Sequence, residues 1–136
     1  MDDLVLNLDL MPTLLELAGV EIPTGVQGRS LVPTLERGVP LGRQSILYEY
    51  YAEPPSASFA YHPSILALRT ERFKLVTYPG YPSWEELYDL REDPDELTNL
   101  ALLESAQPKL LAMRARLIAL EAEAGERPAM NTTQGE

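Results

Sequence analysis

Cysteine is absent from all 136 residues, which removes disulfide bonds and thiol chemistry but leaves the compartment open. Histidine occurs once, at His62, so a single side chain has an unperturbed pKa near neutrality. Basic residues are scarce: 11 Lys and Arg against 21 Asp and Glu give a formal net charge of −10. That balance points away from nucleic acid as a partner, because phosphates select basic surfaces, and away from general attraction to an acidic polysaccharide. No apolar run approaches the roughly 18 residues that read as a membrane span. The opening M-D-D-L-V-L-N lacks a basic region followed by an apolar core, so it does not read as a signal peptide. No segment repeats another.

What is present suits a small folded unit. The length is about that of one domain, and a hydrophobic content of 45% supports a core rather than disorder. Twelve prolines and eight glycines imply short elements and many turns. Leu4–Leu8 reads as a short buried strand or an extended lead-in. A helix is expected over Asp9–Ala18, with Asp9 as its N-cap, Pro12 in the first turn and Gly19 at its end. A short helical turn is expected around Leu31–Arg37, stopped by Gly38 and Pro40. Ser45–Tyr51 (S-I-L-Y-E-Y-Y) is rich in strand formers. Glu53–Pro63 is a Pro-rich loop carrying His62. Ser64–Thr70 and Phe73–Tyr78 read as two strands around a tight Glu71-Arg72 corner, and Glu86–Leu90 as a further strand. Asp93-Pro94 forms the next turn, where the Asp93 side chain can accept bonds from the backbone just beyond it, and a helix is expected to start there with Glu96 in its first turn. The closing helix spans about Ala106–Ala124, with Ser105 as candidate cap and Leu110, Met113, Leu117 and Leu120 at helical spacing. The fold class is α+β: a small antiparallel sheet of three or four strands packed against a C-terminal helix, with a helix and loop before it.

Four blocks stand out by composition and order. The first is D-L-M-P-T-L-L-E-L-A-G (Asp9–Gly19), and the second is G-R-S-L (Gly28–Leu31). The third is L-A-L-R-T-E-R-F-K-L-V (Leu66–Val76), and the fourth is E-L-Y-D-L-R-E-D-P-D-E-L-T-N-L-A (Glu86–Ala101). Together they resemble the C-terminal end of type I sulfatases, the formylglycine-dependent sulfate-ester hydrolases that include arylsulfatases and sugar sulfatases. The likeness runs from about Leu4 to about Leu120.

The resemblance divides the chain. Residues 1–44 would end the main, alkaline-phosphatase-like sulfatase domain, 45–125 would form the C-terminal subdomain, and 126–136 a flexible tail. A complete family member is several times longer, and its formylglycine nucleophile and calcium ligands lie upstream. The nucleophile derives from a Cys or Ser in a C/S-x-P/A-x-R motif. Here there is no Cys, and no Ser has Pro or Ala at the second following position together with Arg at the fourth. Asp2-Asp3 lacks partner ligands for a hard cation. The expectation is a C-terminal sulfatase fragment, inactive alone and with no cofactor of its own. The missing N-terminal domain, or self-association, would be its partner, and a sulfated sugar the substrate of the complete enzyme. A stand-alone protein- or glycan-binding module is the alternative. Family members are often exported.

The resemblance also points to substrate-binding residues, each with a plainer reading beside it. His62 lies on the loop that would approach the pocket; otherwise it is an exposed loop histidine. Glu49, within Tyr48-Glu49-Tyr50-Tyr51, lies on a strand at the pocket's edge, or is one solvated carboxylate on an aromatic strand. Arg69, with Arg72 and Lys74, forms a candidate anion cluster; alternatively Arg69 pairs with Glu71, Glu85, Glu86 or Asp89. Gly28-Arg29-Ser30 reads as structural. Asn131-Thr132-Thr133 matches a glycosylation sequon.

Overall fold

The computed structural model describes residues 3–52 and 63–125. The chain separates into two compact units, Met1–Gln44 and Ser45–Glu136.

The first unit is built on a short helix, α1 (Leu10–Leu17), entered through a single 3-10 turn at Asn7–Asp9. Leu4–Leu8 is therefore not a strand, and residues 7–9 are already coiled. Helix α1 stops in a Schellman arrangement: Gly19 N–H donates to Glu16 O at 3.0 Å and Val20 N–H to Leu15 O at 2.9 Å. The arrangement needs a left-handed residue, which Gly19 supplies at φ 68°. An irregular stretch with a turn at Thr24-Gly25 then leads to α2 (Val32–Arg37), where Pro33 sits in the first turn and its missing N–H is no loss.

The second unit is a four-stranded antiparallel meander in the order β1 (Ser45–Tyr50), β2 (Ile65–Thr70), β3 (Phe73–Thr77), β4 (Glu86–Asp89). Register pairs Leu47 with Leu68, Leu68 with Leu75, and Leu75 with Leu87, so leucines line one face across all four strands. Helix α3 (Gln107–Ala124) covers that face with Leu110, Met113 and Leu117 at i, i+3 and i+7. Leu68, Leu75 and Leu87 are fully buried there, and Leu66, Leu110, Met113 and Leu117 nearly so. The strands and the closing helix are those the sequence indicates, to within a residue or so at each end.

Two details differ. No helix begins after Asp93-Pro94. Asp93 instead holds a compact turn, with its carboxylate accepting from Leu97 N at 3.1 Å and Thr98 N at 2.8 Å. Glu96 lies at φ 56°, left-handed rather than helical. Only short 3-10 turns follow, at Leu100–Leu102 and Glu104–Ala106. Ser105 does not cap α3; the capping position is Ala106. Gln107 Nε2 instead donates to Ala101 O at 3.0 Å, an orphan carbonyl before the helix.

Candidate functional site

In the first unit the distinctive residues converge on one carboxylate. Asp9 is fully buried. It does not cap α1 with its side chain, as the sequence suggests. Asp9 Oδ2 accepts from Leu6 N at 2.8 Å and Oδ1 from Arg29 N at 2.9 Å. The Arg43 guanidinium closes a two-pronged pair, Nη1 to Oδ2 at 2.7 Å and Nη2 to Oδ1 at 2.8 Å, and Nη1 also donates to Leu4 O at 2.7 Å. Burial alone would raise the Asp9 pKa, but Arg43 and the two backbone donors outweigh it and hold the carboxyl at about 2. One turn on, Thr13 Oγ1 donates to Asp9 O at 2.5 Å and accepts from Leu31 N at 2.9 Å. The D-x-x-P-T and G-R-S blocks are thus two sides of one cross-link. Gly28 completes it by contact: a Cβ there would lie 1.9 Å from Leu8 O.

The same pattern recurs in the second unit. Arg72, read from sequence as part of an anion cluster, is engaged within the chain. It clamps Asp89, Nε to Oδ1 at 2.9 Å and Nη2 to Oδ2 at 2.6 Å, while its carbonyl accepts from Leu90 N at 2.7 Å. The Arg72 bond, working against burial, depresses the Asp89 pKa. Lys74 pairs with Glu96, joining β3 to the left-handed turn, and its Nζ lies 5.6 Å from the Tyr88 ring centroid. Asn99 Oδ1 accepts from Leu87 N at 3.0 Å and Ala101 N at 2.9 Å, and its amide donates to Glu85 O at 3.0 Å. These bonds satisfy backbone at the β4 edge. Arg114 pairs with Glu85.

Arg69 remains. It forms no ion pair among the described residues, so the pairing with Glu71, Glu85, Glu86 or Asp89 does not occur. Register sets it directly opposite Lys74 on β3 and Ile46 on β1. Alternation places all three on the sheet face that α3 leaves open, with Tyr48 and Tyr50 on β1, which are 56% and 40% exposed. Two cations side by side repel. Glu96 answers one of them, leaving Arg69 half-buried and without an ion pair among the described residues.

Glu49 falls on the opposite face, paired in register with Leu66, and accepts from Tyr51 Oη at 2.9 Å. The sheet therefore separates Glu49 from Arg69 rather than joining them. His62 lies outside the described residues, as do the tail, its sequon and Asp2. Sequence reasoning named Glu86 only as a possible partner of Arg69; it instead accepts from Tyr78 Oη at 2.9 Å and Tyr88 Oη at 2.8 Å. Burial and that carboxylate push the Tyr88 phenol up to about 12. The signal was Tyr88 two residues past Glu86 on one strand face.

A calcium ion needs several converging oxygen ligands. Among the described residues no group of three His, Asp or Glu side chains is placed to hold a metal ion. The carboxylates named above are engaged one by one: Asp9, Asp89, Glu96 and Glu85 with Arg43, Arg72, Lys74 and Arg114, Asp93 with backbone amides, and Glu49 and Glu86 with tyrosine hydroxyls. The residues described here do not fit the calcium and formylglycine centre of the resembling family.

Comparison with known proteins agrees with this architecture. The family model for N-sulphoglucosamine sulphohydrolase, C-terminal, matches residues 1–123. N-acetylglucosamine-6-O-sulfatase of Bacteroides thetaiotaomicron is 40% identical over 99 residues, covering 70% of this chain and 17% of the relative. Choline-sulfatase of Rhizobium meliloti is 43% identical over 101 residues, covering 70% of this chain and 17% of the relative. A protein solved with its substrate D-glucosamine-2-N,6-O-disulfate superposes with a TM-score of 0.69 at 30% identity, over 84% of this chain and 23% of that one. The chain spans under a quarter of the length of each of these proteins.

Proposed function

Since this chain belongs to the N-sulphoglucosamine sulphohydrolase C-terminal family, we propose that it serves as the C-terminal part of a sulfuric-ester hydrolase acting on sulfated sugars. In that reading it works beside a catalytic domain that supplies the nucleophile and metal. This part contributes one wall of the substrate pocket and a stable close to the fold, and carries no bond-breaking group itself.

The observation that carries the pocket-wall role is Arg69. The other cations of its block are used internally, Arg72 on Asp89 and Lys74 on Glu96. Arg69 keeps its planar donor fork free on the open sheet face. Such a fork suits the paired oxygens of a sulfate or carboxylate. His62, which lies outside the described residues, is proposed from the family resemblance to reach the same sugar. Glu49 is proposed as a substrate contact from the β1 edge, separately from Arg69, since the sheet divides them.

A chimaera tests the proposal. This chain replaces the matching stretch of the Bacteroides thetaiotaomicron N-acetylglucosamine-6-O-sulfatase, and sulfate release from that enzyme's sugar is measured. Arg69→Ala and His62→Ala should each lower kcat/KM about tenfold, the loss of one polar contact to a charged ligand. Unchanged kinetics in both variants would remove this chain from the substrate site.

A further inference from the structure

The Glu86 carboxylate sits in a second place with ligand-binding chemistry, one that the pocket-wall reading does not use. An open cleft of about 430 Å³ lies at the start of β4, lined in part by Tyr78, Trp84, Glu86, Tyr88 and Leu102. That is within the size range of small-molecule sites. Trp84 is 51% exposed although aromatic neighbours brace it: Tyr81 stacks on it at 4.5 Å and Tyr78 meets it edge-on at 5.9 Å. The indole is thus a fixed platform, and its orientation costs a ligand little entropy. Leu102, 78% exposed, adds a second apolar surface.

The charge at this cleft is as informative as its shape. Glu86 is held by two phenol donors and has no ion pair among the described residues. The burial that raises the Tyr78 and Tyr88 pKa values, helped by Glu86, keeps both phenols protonated as donors. The nearby cations are occupied: Arg114 by Glu85 and Lys74 by Glu96. A sulfate would meet an unneutralised carboxylate here and no free cation. An ammonium on a ring with an apolar face would meet a carboxylate and an aromatic platform.

We propose that the cleft between Trp84, Glu86 and Leu102 is a subsite for an unsulfated amino-sugar residue, its C–H face on the Trp84 ring and its ammonium on Glu86. The choice of an amino sugar over other organic cations rests on the sulfated-sugar reading above; the demand for a cation rests on Glu86 alone. Arg69 does not line this cleft, although register and alternation put it on the same sheet face. On one chain, Arg69 would favour a sulfated residue and Glu86 a desulfated one.

The full chain contains a single tryptophan, so its fluorescence reports Trp84 directly. D-glucosamine, N-acetyl-D-glucosamine and choline are titrated in turn near pH 6, with amide shifts followed in parallel. Glucosamine should give a saturable change, with amide shifts centred on Ser83–Tyr88 and Leu102. N-acetyl-D-glucosamine, the same ring without the cation, should bind at least about tenfold more weakly. Glu86→Gln should abolish that difference, and Arg69→Ala should leave it intact, so failure here and failure at the pocket wall are read separately. No saturable change with glucosamine, or shifts centred elsewhere, would overturn the subsite. Equal binding of N-acetyl-D-glucosamine would remove the role of Glu86. Choline binding as tightly as glucosamine would make the cleft a general cation cage and overturn the sugar assignment.

Discussion

Asp9 and Arg43 show how much can depend on one pair. The carboxylate is fully buried and accepts from two backbone amides as well as the guanidinium. Arg43→Ala would leave that charge buried without its counter-ion and should destabilise the first unit by about 3–5 kcal/mol, read by chemical denaturation. The pH dependence has a definite sign. Folded Asp9 titrates at about 2, below its ordinary 3.8. Its contribution is therefore full above the unfolded value and is lost as pH falls through about 2. Amide exchange at Leu6 and Arg29 should accelerate across that window in the native protein and not in Asp9→Asn. Gly28 acts through space rather than charge. With its would-be Cβ 1.9 Å from Leu8 O, Gly28→Ala must move backbone, and we expect a loss of about 4 kcal/mol or more, the range reserved for severe point changes. A melting temperature within a degree of the parent would contradict this.

At the level of elements, side chains beyond each strand finish what the strands leave open. Asn99 reaches from the 3-10 turn to satisfy Leu87 N and to donate to Glu85 O, at the edge of β4. Asn99→Ala would orphan these groups and should lower stability by about 1–3 kcal/mol. Arg69→Ala is the informative contrast. Arg69 pairs with nothing among the described residues, so its removal should leave the melting temperature of the chain unchanged while impairing the chimaera. A lowered melting temperature with unimpaired kinetics would assign Arg69 to the fold instead.

For the whole molecule, the two units differ in how well they bury their own apolar residues. The second unit closes its leucine face under α3. The first leaves Leu10, Met11, Leu14 and Leu17 between 52% and 65% exposed on α1. Contiguous exposure of that kind marks an interaction surface. We expect the chain on its own to self-associate, with light scattering giving a mass above 15.2 kDa, and to show no calcium-dependent aryl-sulfate turnover. A monomer with slow exchange across α1, or turnover above a heat-killed control, would count against these expectations.

The strands, their antiparallel sheet of three or four members and the closing helix were legible from local pattern, while the four-strand order came from the structure. Period-two leucines on short β-rich runs, and Leu110, Met113 and Leu117 at helical spacing, admit few other arrangements. The family was legible as well, because its blocks are contiguous in sequence. What those blocks do was not legible, since each partner lies far along the chain: Asp9 against Arg29 and Arg43, Arg72 against Asp89, Lys74 against Glu96. From sequence, Asp9 looked like a helix cap and Glu96 like a residue of a first helical turn, both sound on local propensity. Long-range charge pairing overrode that propensity in each case, drawing Asp9 into a buried ion pair and holding Glu96 left-handed beside Lys74. Sequence could likewise name Glu49 and Arg69 but could not tell that strand alternation sets them on opposite faces. Which cations remain free to meet a ligand is a property of the assembled pairs, and only the tertiary structure decided it.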